Sequence, residues 1–194
     1  MGRKIMLIIP VYNEETKIGK VLARIVPGTV DEVVVVNDGS TDKTSEIIKS
    51  YNVSIITHTY KRGVGASIRD GIDYALKNGF EIVVIMAGNG KDDPREIPEL
   101  VKPIIEEDYD YVQGSRFLSK SNHRWKNTPL FRIISIKLYS VVWRILLRKK
   151  LTDVTNGFRA YKTKIFEKIN IWQKWLDTYE LEYYIHYQVI KFRL

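Results

Sequence analysis

Cysteine is absent from this chain of 194 residues, which excludes disulfides, thiolate metal sites and cysteine nucleophiles. A long apolar run is also missing near the start, because the first one covers only residues 4–10 and ends at a proline. Such a run is too short for the apolar core of a signal peptide or for a membrane span. We therefore expect a cytoplasmic protein. Because the sequence also lacks repeats and low-complexity tracts, we expect one main domain.

Acidic residues are scarce in the second part of the chain. Residues 114–194 contain 17 Lys and Arg against 5 Asp and Glu, a net charge of +12, whereas residues 1–113 contain 14 against 18, a net charge of −4. This asymmetry predicts that the second part faces an anionic partner: a phosphate-bearing substrate, an acidic membrane surface or a nucleic acid. A basic face that meets only solvent is the alternative.

Apolar runs of strand length alternate with helical periodicity through the first part. Strands and helices that alternate at this spacing form right-handed βαβ units. The sequence therefore predicts an α/β fold with a Rossmann-like, mostly parallel sheet flanked by helices. The predicted strands cover residues 4–10, 32–36, 53–57, 81–86 and 109–113.

Polar clusters follow four of the predicted strands, at residues 12–15, 37–40, 88–93 and 114–116. Turn chemistry explains any one of them, since Asn, Asp, Gly and Ser are common turn residues. In a parallel sheet, however, all four lie at the carboxyl edge, where ligands bind. We therefore predict a binding site made of these four loops.

A long helix is predicted at residues 129–150, and it is both apolar and basic. Lys137, Arg144 and Arg148 share one side of it, and these charges argue against a membrane span. Two interpretations stay open. The helix is either interfacial, with basic side chains that reach lipid headgroups, or packed in the core of the domain.

Five motifs occur in unbroken order along the chain. They cover residues 9–15 (IPVYNEE), 35–42 (VVNDGSTD), 62–66 (RGVGA), 114–116 (GSR) and 152–159 (TDVTNGFR). As an ordered set they resemble the family 2 glycosyltransferases, which have the GT-A fold, and especially the dolichyl- and polyprenyl-phosphate sugar synthases. The resemblance implies an enzyme that moves a sugar from a UDP- or GDP-linked donor to a lipid phosphate, usually with inversion.

The resemblance implies a donor site in the first part of the chain. The tyrosine of the first motif would lie against the nucleoside base, and the aspartate of the second would accept a hydrogen bond from a base N–H. Small residues of the third motif would let the backbone approach the donor closely. The donor-binding candidates are Pro10, Tyr12, Glu14, Asp38, Arg62, Gly63 and Asn89.

Cations are expected at the reacting end of the site. Negative charge grows on the leaving diphosphate, so cations aimed at it stabilise the transition state more than the ground state. Lys91 and Arg116 are the catalytic candidates for this role. Arg116 and Arg132 are the candidates for contact with the phosphate of the acceptor.

The acceptor decides whether the reaction needs a general base. A lipid phosphate is already an anion and needs none, whereas a saccharide hydroxyl would need one. Asp153, Asp177 and Glu180 are the candidates for such a base. We favour the lipid phosphate because the basic second part suits an anionic membrane surface.

One motif departs from the family pattern. The fourth strand usually leads into an Asp-x-Asp pair that holds a divalent cation, but Ala87 and Asn89 stand in those places. Three explanations stay open: Mg²⁺ or Mn²⁺ binds weakly through Asn89 and Asp92, Lys91 supplies the positive charge instead, or the domain binds a nucleotide sugar without turnover. We favour an enzyme whose metal is weakly bound or dispensable.

The two parts of the chain are expected to divide the function. Residues 1–118 would bind the nucleotide sugar, and residues 119–194 would face the acceptor and the inner surface of a membrane, to which the protein binds peripherally. Residues 179–194 form an apolar and basic ending. A chain that is truncated at its C-terminus is one interpretation of this ending.

Two other function classes fit part of the pattern. A dinucleotide-dependent oxidoreductase would need a glycine triplet directly after the first strand, where the chain has residues 10–14 (PVYNE) instead. A nucleic-acid binder would suit the basic second part and its tryptophans. The apolar content of the long helix argues against that function, so we expect no nucleic acid partner.

Overall fold

The computed structural model describes residues 3–118, 129–147 and 152–194. Within them, strands and helices alternate as the periodicity predicts. The strands are β1 (Ile5–Val11), β2 (Glu32–Asn37), β3 (Ser54–Thr57), β4 (Ile82–Ile85), β5 (Tyr111–Gln113) and β6 (Arg159–Lys162). The α-helices are α1 (Ile18–Leu22), α2 (Thr44–Lys49), α3 (Val64–Lys77), α4 (Ile97–Glu106), α5 (Leu130–Leu147) and α6 (Glu180–Phe192).

The strands form one mixed sheet in the order β3-β2-β1-β4-β6-β5. β1 pairs in parallel with β2 and β4, and β2 pairs in parallel with β3. β6 runs antiparallel to both β4 and β5, so five of these strands point the same way. The predicted α/β fold with a mostly parallel sheet is confirmed. The chain order reverses between β1 and β4, the kind of switch point where open α/β sheets bind ligands.

The central strands are apolar on both faces because helices cover both faces. Met6 and Ile8 of β1 belong to a core cluster that includes residues of α3 and α6. Leu7 and Ile9 point to the opposite face, where a second cluster includes residues of α1, α2 and α4. This two-sided burial holds the carboxyl ends of β1, β2 and β4 rigidly at one edge.

β6 was not predicted from the sequence. All four of its residues are buried, yet two of them, Arg159 and Lys162, are charged, so the segment has no apolar run. The buried ammonium of Lys162 lies 2.6 Å from a carboxylate oxygen of Asp108. β5 is also shorter than predicted, because only three of residues 109–113 form the strand at the sheet edge.

The predicted long helix is observed as α5, Leu130–Leu147, and residues 148–150 lie outside the described residues. Ile136 and Ser140 are buried against the rest of the domain. The opposite side of the helix is exposed and apolar, and we call it the outer face of α5. Its members are Leu130, Phe131, Ile134, Leu138, Val141, Val142 and Ile145. Among the helices described, none combines the length and the apolar character that crossing a bilayer requires.

Acid should destabilise the fold through His186, which lies beneath α5. Burial, followed by the nearby charge of Arg159, lowers the pKa of His186 from 6.5 to about 4. Between these values the unfolded chain binds more protons than the folded one, so the free energy of unfolding falls as the pH drops from about 6.5 to about 4. We expect a loss of about 3 kcal/mol at most from this residue, measured by urea unfolding at several pH values.

The His186→Gln variant provides the control for this effect. Glutamine stays neutral at every pH, so the variant should lose less stability over the same acid range than the wild-type protein. Identical slopes of stability against pH in the two proteins would contradict the role assigned to His186.

Candidate functional site

A cleft of about 820 Å³ opens beyond the carboxyl ends of β1, β2 and β4. The loops after these strands form one wall, as predicted. The start of α3, the first turns of α5 and α6 and the segment 155–157 form the others. The four polar loops that the sequence places at this edge therefore all contribute to the cleft.

The loop after β1 places Tyr12 and Glu14 in the cleft, next to Pro10 at the end of the strand. Asn13 adopts a left-handed conformation with φ of 52°, and its backbone N–H donates to Ser40 Oγ at 3.0 Å. The backbone N–H of Glu14 donates to Thr44 Oγ1 at 2.8 Å. The first two polar loops thus hold each other in place through hydrogen bonds.

The ring of Tyr12 offers an aromatic face in the cleft. The side chain is about one-third exposed, and Lys61 Nζ lies 4.1 Å from the ring centroid. The ammonium of Lys61 therefore lies over one face of the ring. A planar base that stacks on this face would take the place of Lys61.

Asp38 is buried at the end of β2, and main-chain donors hold its carboxylate. The N–H of Arg62 donates to Oδ1 at 2.7 Å, and the N–H of Gly63 donates to Oδ2 at 2.8 Å. Gly63 has φ of 107°, and a Cβ there would lie 2.3 Å from the carbonyl oxygen of Asp177. Only glycine therefore fits at this position, against the backbone of Asp177.

Arg62 itself does not line the cleft. Its guanidinium binds Asp70 at 2.6 Å, on α3. Of the donor-binding candidates, Arg62 thus contributes its backbone N–H to Asp38 and directs its side chain elsewhere. A direct contact of its guanidinium with a donor stays a prediction that this geometry does not favour.

Arg116 lies in the cleft in a fixed orientation. Its Nε and Nη2 donate to the two oxygens of Asp153 at 2.7 and 2.8 Å, and Nη2 also donates to Thr155 Oγ1 at 2.6 Å. Nη1 forms none of these three hydrogen bonds with the described residues. Burial alone would raise the pKa of Asp153, but hydrogen bonds and charge from Arg116 outweigh it and lower the pKa.

The three candidates for a general base are all held by other groups. A carboxylate with the lowered pKa of Asp153 is a weak base. Asp177 forms an ion pair with Arg69, and Glu180 accepts a hydrogen bond from Thr178 that lowers its pKa. None of these three carboxylates is among the described residues that line the cleft.

The loop after β4 fits a divalent cation poorly. Ala87 has no ligand atom, and Asn89 Oδ1 already accepts from the backbone N–H of Lys91 at 3.0 Å. Burial raises the pKa of Asp92 to about 6; Arg116 and Lys91 oppose this rise, and nearby carboxylates add to it. The described part of the chain contains no group of three acidic or histidine side chains suited to a metal.

Besides Lys61, which lies against Tyr12, three cationic side chains line the cleft. They are Lys91 after β4, Arg116 after β5 and Arg132 in the first turn of α5. The strands before Lys91 and Arg116 lie on the other side of the switch point from β1 and β2, which lead to Tyr12 and Asp38. The cleft therefore has one end at the loops after β1 and β2 and another at the loops after β4 and β5, where the carboxylates of Asp92 and Glu182 accompany the cations.

Sequence reasoning missed Glu182, which lines the cleft from the first turn of α6. A Cβ on Gly157 would lie 2.9 Å from its Oε1, and Arg159 Nε lies 3.9 Å from the same oxygen. The apolar periodicity of Leu181, Ile185 and Val189 fixes which side of α6 is buried. That periodicity could have indicated that Glu182 lies next to the core. It does not identify the residues that Glu182 faces across the cleft. The other cleft residues missed from the sequence are Ser67, Thr155, Asn156, Tyr179 and Tyr183.

Comparisons with known proteins agree with this architecture. A family model described as glycosyl transferase family 2 matches residues 6–170. The UDP-N-acetylglucosamine–dolichyl-phosphate N-acetylglucosaminyltransferase of Methanococcus voltae is 31% identical, over 81% of this chain and 68% of that protein. The polyprenol monophosphomannose synthase of Mycolicibacterium smegmatis is 29% identical, over 87% of this chain and 65% of that protein.

Solved structures support the fold. The glucosyl-3-phosphoglycerate synthase of Mycobacterium tuberculosis, in complex with Mn²⁺, UDP and glucosyl-3-phosphoglycerate, superposes with a TM-score of 0.66 at 21% identity. The match covers 85% of this chain and 58% of that structure. It confirms the predicted GT-A fold. The chain thus spans well under the full length of that structure.

Proposed function

Because the chain belongs to glycosyl transferase family 2, we propose that it transfers a sugar from a UDP- or GDP-linked donor to a polyprenyl or dolichyl phosphate. The family resemblance drawn from the ordered motifs is confirmed, and with it the class of enzyme, a glycosyltransferase. The donor, the acceptor and the inverting course of the reaction are our proposals.

The cleft carries this proposal, because its two ends differ in chemistry. Tyr12 and Asp38 at one end suit a nucleoside base, which offers a π face and N–H donors. Lys91, Arg116 and Arg132 at the other end suit phosphate groups. A nucleoside diphosphate sugar has these features in the same order.

In the proposed mechanism the phosphate oxygen of the lipid attacks C1 of the sugar from the face opposite the diphosphate. The C1–O bond to the diphosphate breaks as the new bond forms, which inverts the configuration. Lys91 and Nη1 of Arg116 stabilise the charge that grows on the leaving group. Asp153 and Thr155 fix the guanidinium of Arg116 beforehand, so little reorganisation is needed during the reaction.

No general base is needed for this acceptor, which agrees with the geometry. Asp153, Asp177 and Glu180 are each bound to another group, as described above. A saccharide hydroxyl as acceptor would need a different carboxylate as its base, and Asp92 and Glu182 both line the cleft. If Mg²⁺ or Mn²⁺ binds, Asn89 and Asp92 are the residues nearest to the position of the family's metal ligands, and we assign no step to it.

The outer face of α5 supports a membrane-bound acceptor. This apolar face lies on the helix that also places Arg132 in the cleft. Lys137 and Arg144 lie to one side of the same face. We propose that α5 lies in the interface of an anionic membrane, at its cytoplasmic side, with the basic residues at the headgroups. An exposed apolar face is unsuited to a nucleic-acid track.

The proposed role of Lys91 predicts that turnover survives a strong chelator. The Lys91→Ala variant should lose about 100-fold in kcat, because a cation aimed at the leaving diphosphate is removed. Complete loss of activity in chelator would refute the lysine role.

Calorimetric titration with UDP- and GDP-sugars, in Mn²⁺ or in chelator, should show saturable binding of one nucleotide class. Nucleotide binding without turnover would instead favour a domain that binds but does not catalyse.

Arg132 should determine the apparent affinity for the acceptor. The Arg132→Ala variant should raise the KM for polyprenyl phosphate about tenfold, because one charge-assisted contact is lost, and leave the KM for the donor unchanged. The Arg132→Lys variant retains the charge and should lose less. Kinetics with both substrates varied measure the two KM values, and an unchanged acceptor KM in the alanine variant would refute the contact.

The outer face of α5 should control binding to vesicles that contain anionic lipid. A double variant, Ile134→Glu and Leu138→Glu, should reduce sedimentation with vesicles at least tenfold, since two apolar side chains no longer enter the interface. Ile105→Glu on α4 is the control, because it also replaces an exposed apolar residue with an acid. Equal losses in both variants would contradict a specific role of α5.

A further inference from the structure

His58 lies beneath the cleft, between two carboxylates. Its Nδ1 is 2.7 Å from Asp38 Oδ1, and its Nε2 is 2.9 Å from Asp70 Oδ2. The side chain of His58 is 3% exposed, that of Asp38 is 5% exposed and that of Asp70 is 30% exposed. The ring thus links the cleft carboxylate to a carboxylate near the surface of α3.

The number of donors on the ring determines its charge. An ionised carboxylate only accepts hydrogen bonds, so both contacts require an N–H from the ring, and a neutral imidazole has only one. The other neighbour of Nε2 is Arg62 Nη1, at 3.4 Å, which is a longer contact than the 2.9 Å to Asp70. The shorter contact indicates that Nε2 donates to Asp70 rather than accepts from Arg62.

We infer that His58 is an imidazolium that bridges Asp38 and Asp70 and is a positioning residue for nucleobase recognition. This role rests on the proposed donor site. Asp38 Oδ1 accepts from His58 and from the N–H of Arg62, which fills its two lone pairs. Among the described residues, only the N–H of Gly63 donates to Asp38 Oδ2, which leaves one lone pair of this oxygen for a base N–H.

Charge balance adds to the geometric argument. The charged groups that face the ring are Asp38, Asp70 and Arg62. Loss of the proton from His58 would remove one of its two hydrogen bonds and leave the buried carboxylate without its cationic partner.

The ring state can be measured directly in the unliganded protein. Long-range ¹H–¹⁵N correlation spectra at neutral pH should show two protonated nitrogens for His58, assigned by the loss of these signals in the His58→Gln variant. Asp70→Asn should leave only one protonated nitrogen, because the outer acceptor becomes neutral. One protonated and one unprotonated nitrogen in the wild-type protein would overturn the bridge.

The positioning role is tested by calorimetric binding of UDP and GDP. Glutamine at position 58 donates from one end only, so His58→Gln should weaken binding of the preferred nucleotide about tenfold. Asp70→Asn tests the same role from the exposed end if His58→Gln does not fold, and it should weaken binding in the same direction. Asp73→Asn, which removes an exposed charge from the same helix, is the control and should bind as the wild-type protein does.

Two kinds of failure can be told apart. If the wild-type protein binds UDP or GDP and both His58→Gln and Asp70→Asn bind equally well, the positioning role is wrong while the donor site stands. If the wild-type protein binds neither nucleotide, the donor site is wrong and the positioning role is overturned with it. In that case the ring spectrum still shows whether the ionic bridge exists.

Discussion

The segment that orients Arg116 in the cleft depends on one buried charge, the guanidinium of Arg159. This side chain is 1% exposed and donates to the main-chain carbonyls of Asn156, Glu182 and Val154 at 2.8, 2.7 and 3.3 Å. A charge removed from water is tolerated only when polar groups replace its hydration. The segment 153–157 and the first turn of α6 therefore pack around this cation. Because the same segment carries Asp153, the orientation of Arg116 depends on it as well.

The loop before α3 depends in the same way on a buried charge of the opposite sign. Asp38 is a buried anion, and backbone N–H groups of the loop before α3 surround it. One end of the cleft is thus organised around an anion held by main-chain donors, and the other around a cation held by main-chain acceptors. In both cases the charge fixes a loop that the sheet alone would leave free. Both loops reach the cleft because the sheet places their strands around the switch point between β1 and β4.

The sequence was most informative where burial is two-sided and least informative where charge is buried. β1, β2 and β4 could be predicted because both faces pack on helices, which leaves continuous apolar runs. The site loops followed from the sheet, since carboxyl ends of parallel strands share an edge. β6 could not be found because Arg159 and Lys162 satisfy their charges through partners distant in sequence. The side-chain direction of Arg62 and the presence of Glu182 in the cleft depend on tertiary contacts that periodicity does not encode.

The position of β6 has a consequence for how the chain acquires its structure. β5 and β6 are separated by residues 114–158, yet β5 pairs with β6 and β6 covers the edge of β4. During synthesis on the ribosome, β4 is complete long before β6 emerges. In that interval the unpaired edge of this apolar strand is open to pairing with other chains. Closing so long a loop is slow, which makes this pairing a late step of folding. Residues 1–118 therefore reach their final form only when β6 has been synthesised, so a protein cut at residue 118 would be prone to aggregation.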